Sequence, residues 1–232
     1  MIPALILIPG LAGDAAMWRR QLETLAAYRP VVTDVQTRFD SIPAMAAALI
    51  DEHPGPLVLC GASMGGMIAM EATRQAPARV AGLALLGTSA RPETDDMRAV
   101  REAAIALFEE GRVAEVIEPN VQFAFHPDNA PRLAADYLDF VLRAGAEQLI
   151  RQNRAVIARP DARTHLPQLR CPVLVVCGDS DVIAPPECSR EIAQLVPQAQ
   201  LELVPQCGHM LTMEQPEAVN AALLRWLETL PR

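Results

Sequence analysis

The sequence predicts an α/β fold: a mostly parallel sheet of about six strands, helices on both faces, and one helical insertion. Three observations predict it. Short apolar runs recur along the chain, helical patterns separate most of these runs, and residues 91–169 show helical patterns alone. Strands that alternate with helices are joined by right-handed crossovers, which place the helices on both faces of a parallel sheet.

The apolar runs are short and rich in valine, leucine and isoleucine. Their apolar character is mostly continuous, as expected of strands buried on both faces of a sheet. We therefore predict strands at Ala4–Ile8, Pro30–Val35, Pro56–Cys60, Val80–Leu86, Pro172–Cys177 and Gln200–Val204.

Helical patterns lie between these runs. The last of them has Pro216 at its start and Glu217 in its first turn, and both are favourable at a helix N-terminus. Helices are predicted at Ala15–Ala27, Ile42–Glu52, Met64–Gln75, Pro186–Val196 and Pro216–Leu230.

Residues 91–169 interrupt the alternation, because their apolar residues recur at helical spacing only. We predict that they form a helical cap, inserted into a core domain made of residues 1–90 and 170–232. A cap over the carboxyl ends of the strands would form one wall of a ligand cleft, since open α/β sheets bind ligands there. Its predicted helices are Thr94–Glu110, Val113–Phe125, Pro131–Ala144 and Ala146–Ala158.

The composition excludes several classes of function. The chain has 232 residues, 51% of them apolar, and a net charge of −8. This acidic balance argues against nucleic-acid binding, which needs clustered basic charge. All 20 basic residues are arginine, so a mechanism with a Schiff-base or general-base lysine is excluded. No segment has the length of a membrane span, and the N-terminus lacks the features of a signal peptide.

The five cysteines are odd in number, and their spacing does not match zinc ligation. We therefore expect reduced thiols and a cytoplasmic location. No metal or cofactor site is apparent. A small molecule is the expected partner, and the oligomeric state stays open.

Ser63 is the candidate nucleophile, within residues 61–65 (GASMG). This G-x-S-x-G pattern lies in the turn between a predicted strand and the helix Met64–Gln75. In such a turn the serine adopts a strained backbone conformation, and small neighbours let the strand and the helix approach closely. We expect the hydroxyl to project above the sheet.

A serine nucleophile needs a base, and the chain has four histidines. His53 precedes Pro-Gly in a predicted surface turn, His126 lies within the cap, and His165 lies near the end of the cap. His209 follows the last predicted strand, at the edge of the sheet where Ser63 is expected. We predict His209 as the base, with His126 and His165 as candidates for polar groups in the cleft.

The base needs a carboxylate that fixes its tautomer and stabilises the imidazolium. Asp179 and Asp181 follow the predicted strand Pro172–Cys177, which gives the chain order serine, aspartate, histidine. Asp181 lies further into the loop and is our candidate, whereas Asp179 is expected to shape the turn. Asp34, at the end of another strand, is a weaker alternative.

Charge that develops on a substrate carbonyl oxygen requires hydrogen-bond donors. One is expected to be the backbone amide of Met64, directly after the nucleophile. The other is expected from the loop after the first strand. Pro9 has no N–H there, so the amide of Leu11 is the candidate.

These segments resemble the α/β-hydrolase superfamily over most of the chain. Residues 7–14 (LIPGLAGD), with Trp18 and Gln21, are similar to its oxyanion loop and following helix, and residues 61–66 (GASMGG) to its nucleophile elbow. Residues 171–181 (CPVLVVCGDSD) resemble its acid strand and loop, which places the family's acid on Asp181. The histidine loop and the last helix resemble residues 208–210 (GHM) and 214–217 (EQPE). Small carboxylesterases of the pimeloyl-carrier-protein methyl esterase type look most similar, together with related lactonases and thioesterases.

The chain departs from the family pattern at three places. Many members have an antiparallel hairpin before the oxyanion strand, and none is predicted here, which implies a reduced sheet of about six strands. Pro9-Gly10 stands where many relatives have His-Gly. Residues 34–41 (DVQTRFDS) lack the glycines that many relatives carry after the second strand. None of these departures removes a predicted catalytic residue.

The resemblance implies a serine hydrolase that cleaves a carboxylic ester of a small or medium acyl compound through an acyl-serine intermediate. Trp18, Phe123 and His126 are the candidates for substrate binding. The alternatives are a thioesterase, a lactonase, a lyase in which His209 acts on a carbon acid, and a binding protein without catalysis. A dehalogenase is disfavoured, because that chemistry uses an aspartate where Ser63 stands.

Overall fold

A computed structural model describes residues 3–231. Its six strands form one sheet in the order β2-β1-β3-β4-β5-β6, and every neighbouring pair is parallel. The predicted fold class, a parallel sheet of six strands with helices, is confirmed. The strands are β1 (Ala4–Ile8), β2 (Val31–Val32), β3 (Leu57–Ala62), β4 (Val80–Leu86), β5 (Val173–Gly178) and β6 (Gln200–Val204).

Helices connect the strands. The α-helices are α1 (Arg19–Thr24), α2 (Val35–Arg38), α3 (Ile42–Glu52), α4 (Met64–Gln75), α5 (Asp95–Glu109), α6 (Val113–Asn120), α7 (Ala130–Ile157), α8 (Pro186–Leu195), α9 (Leu211–Glu214) and α10 (Pro216–Leu227). Short 3-10 helices lie at Ala15–Trp18, Ala26–Tyr28, Pro77–Arg79, Val121–Ala124, Ala162–Thr164 and Leu166–Gln168.

The core consists of two apolar clusters, one on each face of the sheet. In β1, Leu5 and Leu7 belong to one cluster, whereas Ile6 and Ile8 belong to the other. Successive side chains of a strand point to opposite faces, so a strand covered on both faces needs apolar residues at every position. This burial explains why the apolar runs are continuous rather than alternating.

Three predicted elements differ from the structure. The predicted helix Val113–Phe125 is α-helical only to Asn120 and continues as the 3-10 helix Val121–Ala124. The run Pro30–Val35 forms only the short edge strand β2, because the chain turns into α2 after Thr33. Val35 is fully buried, but as a helical residue. A short apolar run does not distinguish a strand from a buried helical turn. The predicted helix Ala15–Ala27 is divided, and only α1 within it is α-helical.

Residues 91–169 contain helices and no strand, and all of them are described. Gly145 interrupts α7 with φ 73° and ψ 168°. This break coincides with the gap between the last two helices predicted for this stretch. The division into a core domain and an inserted cap stays a prediction. Among residues 3–231, no helix is long and apolar enough to cross a membrane.

Candidate active site

Three predicted site residues meet beyond the carboxyl ends of the parallel strands. Ser63 directly follows β3, Asp181 lies in the loop after β5, and His209 lies in the loop after β6. Parallel strands all present their carboxyl ends at one edge of the sheet, so loops distant in sequence are brought together there.

The turn at Ser63 is strained and tightly packed. Ser63 has φ 52°, a left-handed conformation that costs a non-glycine residue about 1–3 kcal/mol. Its amide donates to the Leu86 carbonyl at 2.9 Å, and the Thr88 hydroxyl donates to the Ser63 carbonyl at 2.7 Å. A Cβ on Gly61 would overlap the Gly65 backbone, and a Cβ on Gly65 would overlap the Ile8 carbonyl. The two glycines of the motif are therefore required by close backbone packing.

The three side chains form a continuous hydrogen-bonded array. Ser63 Oγ lies 2.9 Å from His209 Nε2, and His209 Nδ1 lies 2.8 Å from Asp181 Oδ2. The Asp181 side chain is fully buried, and the His209 side chain is 8% exposed. With Nδ1–H donating to Asp181, Nε2 is left as the acceptor for the serine proton. The array can thus remove a proton from Ser63.

The surroundings of the two candidate aspartates differ. Asp181 Oδ1 accepts from the amides of Ile183 and Ala184, at 2.9 and 2.8 Å, which leaves Oδ2 for His209. Asp179 is exposed and accepts from the Ser180 hydroxyl and the Cys207 amide. Burial raises the pKa of Asp179, but these hydrogen bonds lower it more, so its net pKa lies below the ordinary value. Asp179 thus links the acid loop to the histidine loop and does not contact His209.

The other candidates lie elsewhere. Asp34 is exposed and pairs with Arg38 at 3.0 Å. His165 Nε2 lies 3.1 Å from the carbonyl of Met70 in α4, and burial lowers the pKa of this histidine. The carbonyl of His53 accepts from Arg79. None of the three is hydrogen-bonded to Ser63, His209 or Asp181.

The loop after β1 lies against the nucleophile turn. A Cβ on Gly10 would be 3.2 Å from both Ser63 Cβ and the Ala62 carbonyl. Leu11 follows Gly10 directly, and Met64 is the first residue of α4, where a backbone amide has no intrahelical acceptor. Gly10, which precedes Leu11, is therefore packed against Ser63, Met64 follows Ser63 directly, and the oxyanion role of the two amides stays a prediction.

An open cleft of about 890 Å³ lies beside Asp181, and both Phe123 and His126 line it. Phe123 is 51% exposed, whereas His126 Nδ1 accepts from the Asp128 amide. Trp18 is fully buried in the core. The structure corrects the expectation for Trp18, because its side chain presents no accessible surface to a substrate.

The Cys207 thiol and the possible metal ligands also bear on the chemistry of the site. Burial raises the pKa of the Cys207 thiol far above its ordinary value, which favours its weakly nucleophilic, protonated form, and the side chain is fully buried. Within residues 3–231, no group of three or more histidine, cysteine, aspartate or glutamate side chains is placed to hold a metal ion.

Glu214 organises the loop that carries His209. Its buried carboxylate accepts from the amides of Gly208 and Met210, at 3.0 and 3.1 Å. It also accepts from the His126 amide at 2.7 Å and from Asn129 Nδ2 at 3.0 Å. One side chain thus joins the histidine loop to residues 126–129. The sequence places Glu214 in the EQPE segment, but its role depends on the fold and carries no local signal.

Changing Glu214 to glutamine is expected to destabilise the protein by about 2–4 kcal/mol. The amide NH2 that replaces one carboxylate oxygen would face backbone N–H donors, and buried donors would lose their acceptor. Guanidinium unfolding followed by circular dichroism measures this change. Glu217→Gln is the matched control, because that side chain is 78% exposed. Equal stability of the two variants would contradict the role of Glu214.

Comparison with known proteins identifies the family. Residues 5–222 match the model of the alpha/beta hydrolase family. RutD of Escherichia coli O103:H2, named as a candidate carbamate hydrolase, is 30% identical over 98% of this chain and 92% of its own length. A RutD of Shigella flexneri matches at the same identity and coverage.

Solved structures agree with this match. A thermophilic esterase from Thermogutta terrifontis, with malate bound, superposes with a TM-score of 0.88 at 30% identity, over 97% of this chain and 89% of that one. The enol-lactonase of Burkholderia xenovorans LB400 has a TM-score of 0.88 at 21% identity, over 98% and 92% of the two chains, and shares the fold. The chain belongs to the alpha/beta hydrolase family.

Proposed function

We propose that this hydrolase cleaves a carboxylic ester of a small or medium acyl compound through an acyl-serine intermediate. The array Ser63–His209–Asp181 carries the proposal, because its contacts of 2.9 and 2.8 Å suit proton transfer from the serine hydroxyl to the imidazole.

The proposed reaction has two halves. Ser63 Oγ attacks the ester carbonyl carbon while His209 Nε2 takes the hydroxyl proton, and the carbonyl oxygen becomes an oxyanion facing the amides of Leu11 and Met64. The tetrahedral intermediate then collapses, and His209 gives its proton to the departing alcohol. In the second half, a water molecule loses a proton to His209 and attacks the acyl-serine, which releases the acid and restores Ser63.

The relatives support hydrolysis at a carbonyl carbon. The esterase of Thermogutta terrifontis is 30% identical to this chain and is named for ester cleavage. RutD, at the same identity, is named for carbamates. A carbamate differs from an ester only in the atom next to the carbonyl, so the same array suits both. Carbamate hydrolysis is therefore our second candidate.

An open cleft lies beside the acid loop. Its volume of about 890 Å³ is within the range of small-molecule sites, and neither Ser63 nor His209 is among the residues that line it. Phe123, Phe125 and Val182 give it apolar walls next to Asp181. We propose that an apolar part of the substrate, away from the bond cleaved at Ser63, contacts this cleft. We also propose a cytoplasmic setting, which the five free cysteines support, because disulfides persist in oxidising compartments.

The test is a panel of activated substrates: p-nitrophenyl esters of graded acyl length, a p-nitrophenyl carbamate, a thioester and a lactone. We expect turnover of short or medium esters, and an acyl mass increment on the peptide that contains Ser63 after rapid quenching. Faster turnover of the carbamate would favour the second candidate. Turnover without any acyl adduct, or no turnover of any substrate, would contradict the acyl-serine mechanism.

A further inference from the structure

We propose that Gln152, in α7, is a positioning residue that sets the conformation of the oxyanion loop. Its side chain is completely buried. Its Oε1 accepts from the Ala12 amide at 2.8 Å, and its Nε2 donates to the Gln36 carbonyl at 2.9 Å. One amide side chain therefore joins residues 91–169 to the loop after β1 and to the segment after β2.

The hydrogen bond from the Ala12 amide to Gln152 involves the peptide group that determines the type of the turn at residues 10–13. Residues 10–13 form a turn closed by a hydrogen bond of 3.0 Å from the Gly13 amide to the Gly10 carbonyl. Ala12, the third residue, has φ 59°, and Leu11 is not among the residues with positive φ. This is the pattern of a type II turn, which differs from type I by a flip of its central peptide. The N–H of that central peptide belongs to Ala12 and is the donor to Gln152.

Without the hydrogen bond to Gln152, the type II form of this turn would be less stable relative to the flipped form. Position three of a type II turn favours glycine, so alanine with positive φ is strained there. Flipping the central peptide would relieve that strain, but it would withdraw the Ala12 N–H from Gln152 Oε1. A buried amide that loses its acceptor is destabilising. The glutamine therefore opposes the flip.

A second glutamine holds the turn from its other end. Gln36 is 1% exposed, and its Nε2 donates to the Gly13 carbonyl at 3.3 Å. The backbone carbonyl of Gln36 is the acceptor for Gln152 Nε2. Arg151, next to Gln152, donates to the Thr37 carbonyl. The two glutamines hold the turn at consecutive residues, so its orientation depends on how α7 is seated.

The consequence concerns the amide of Leu11, which belongs to the peptide group before the flipping one and follows Gly10, the residue packed against Ser63. The flip itself turns the Leu11 carbonyl and the Ala12 N–H, and the Leu11 amide shifts as the turn loses its anchor. The inference rests on the proposed function to the extent that this amide is an oxyanion donor. A donor has to point at the place where charge develops, and a small misplacement costs much of its effect. Seating α7 through Gln152 would thus complete the oxyanion site.

The test compares Gln152→Met with Asn153→Leu. Asn153 is the next residue of α7 and is also buried, but its amide contacts Leu149 and Arg101, not the turn. For the best ester of the panel, we expect Gln152→Met to lower kcat about tenfold or more. KM should change little, because the acyl site is intact. A trifluoromethyl ketone, which forms a tetrahedral adduct with a serine, should lose affinity by a similar factor.

Hydrogen exchange gives a readout that does not depend on activity. The Ala12 amide should exchange slowly in the wild type and in Asn153→Leu, and markedly faster in Gln152→Met. The side chain in Gln152→Asn is too short to reach the Ala12 amide, so this variant should behave like Gln152→Met. It replaces Gln152→Met in the experiment if the methionine variant does not fold.

Two results would overturn the proposal. One is unchanged exchange at Ala12 in the Gln152 variants, which would show that the contact does not hold the turn. The other is faster exchange with the same kcat as Asn153→Leu, which would show that the turn does not affect the reaction. If the wild type cleaves no substrate of the panel, the proposed function is wrong, and exchange at Ala12 alone decides whether Gln152 holds the loop.

Discussion

Replacing Ser63 by alanine is expected to lower kcat for the best ester of the panel by about four orders of magnitude or more. The side chain supplies the attacking oxygen, and no other hydroxyl lies within hydrogen-bonding distance of His209 Nε2 among the described residues. KM should stay within a few fold, because the change removes only the hydroxyl oxygen and leaves the other side chains in place. The measurement is the release of p-nitrophenol under saturating substrate.

Two controls separate chemistry from folding in this experiment. Ser189→Ala removes a buried hydroxyl in α8 that is not hydrogen-bonded to Ser63, His209 or Asp181, and should retain full activity. A fluorophosphonate should add its mass to Ser63 in the wild type and in Ser189→Ala, but not in Ser63→Ala. Retained turnover in a folded Ser63→Ala variant would exclude the serine as the nucleophile and would favour a reaction in which His209 acts on the substrate directly.

The nucleophile turn could be predicted from the sequence because its residue types lie within five consecutive positions. Gly61 and Gly65 lie within two residues of Ser63; the contact that demands Gly61 is within the same turn, whereas the one that demands Gly65 is with Ile8 at the end of β1. His209 and Asp181 could be predicted because each follows a strand, and parallel strands end at one edge of the sheet. Strand ends carry this information without any knowledge of how side chains pack.

Other features depend on contacts that the sequence does not encode locally. Gln152 and Ala12 are 140 residues apart, and their hydrogen bond exists only because α7 is seated on the loop after β1. Trp18 illustrates the opposite error. Its place beside the oxyanion loop suggested a substrate contact, but the indole turns into the core and is fully buried. The direction of a side chain from a loop or a short helix depends on the packing around it.

Glu214 and Gln152 connect residues 91–169 to the histidine loop and to the oxyanion loop, respectively. Glu214 ties the histidine loop to residues 126–129, and Gln152 ties α7 to the oxyanion loop. Both use buried hydrogen bonds, which are costly to disrupt because the freed groups have no access to water. The seating of this helical segment is thus coupled to the base and to the oxyanion donors through two separate side chains.

Changing Asp181 to asparagine is expected to lower kcat by about four orders of magnitude with little change in stability or KM. The structure indicates how. The amides of Ile183 and Ala184 donate to Oδ1, so the asparagine oxygen will occupy that position and its NH2 will face His209. Nδ1 must then accept a hydrogen bond, which leaves the proton on Nε2. In that tautomer the imidazole does not take a proton from Ser63.

Asp179→Asn distinguishes this effect from a general disturbance of the acid loop. Asp179 is exposed and contacts Ser180 and Cys207 rather than His209, so kcat should change by only a few fold. Both variants alter one carboxylate in the same loop, two residues apart. A larger loss in Asp179→Asn than in Asp181→Asn would show that the acid is misassigned, whereas equal and small losses would show that the imidazole needs no carboxylate partner. The tautomer itself is accessible to nitrogen NMR, in which the proton on Nδ1 of the wild-type His209 should move to Nε2 in Asp181→Asn and stay on Nδ1 in Asp179→Asn.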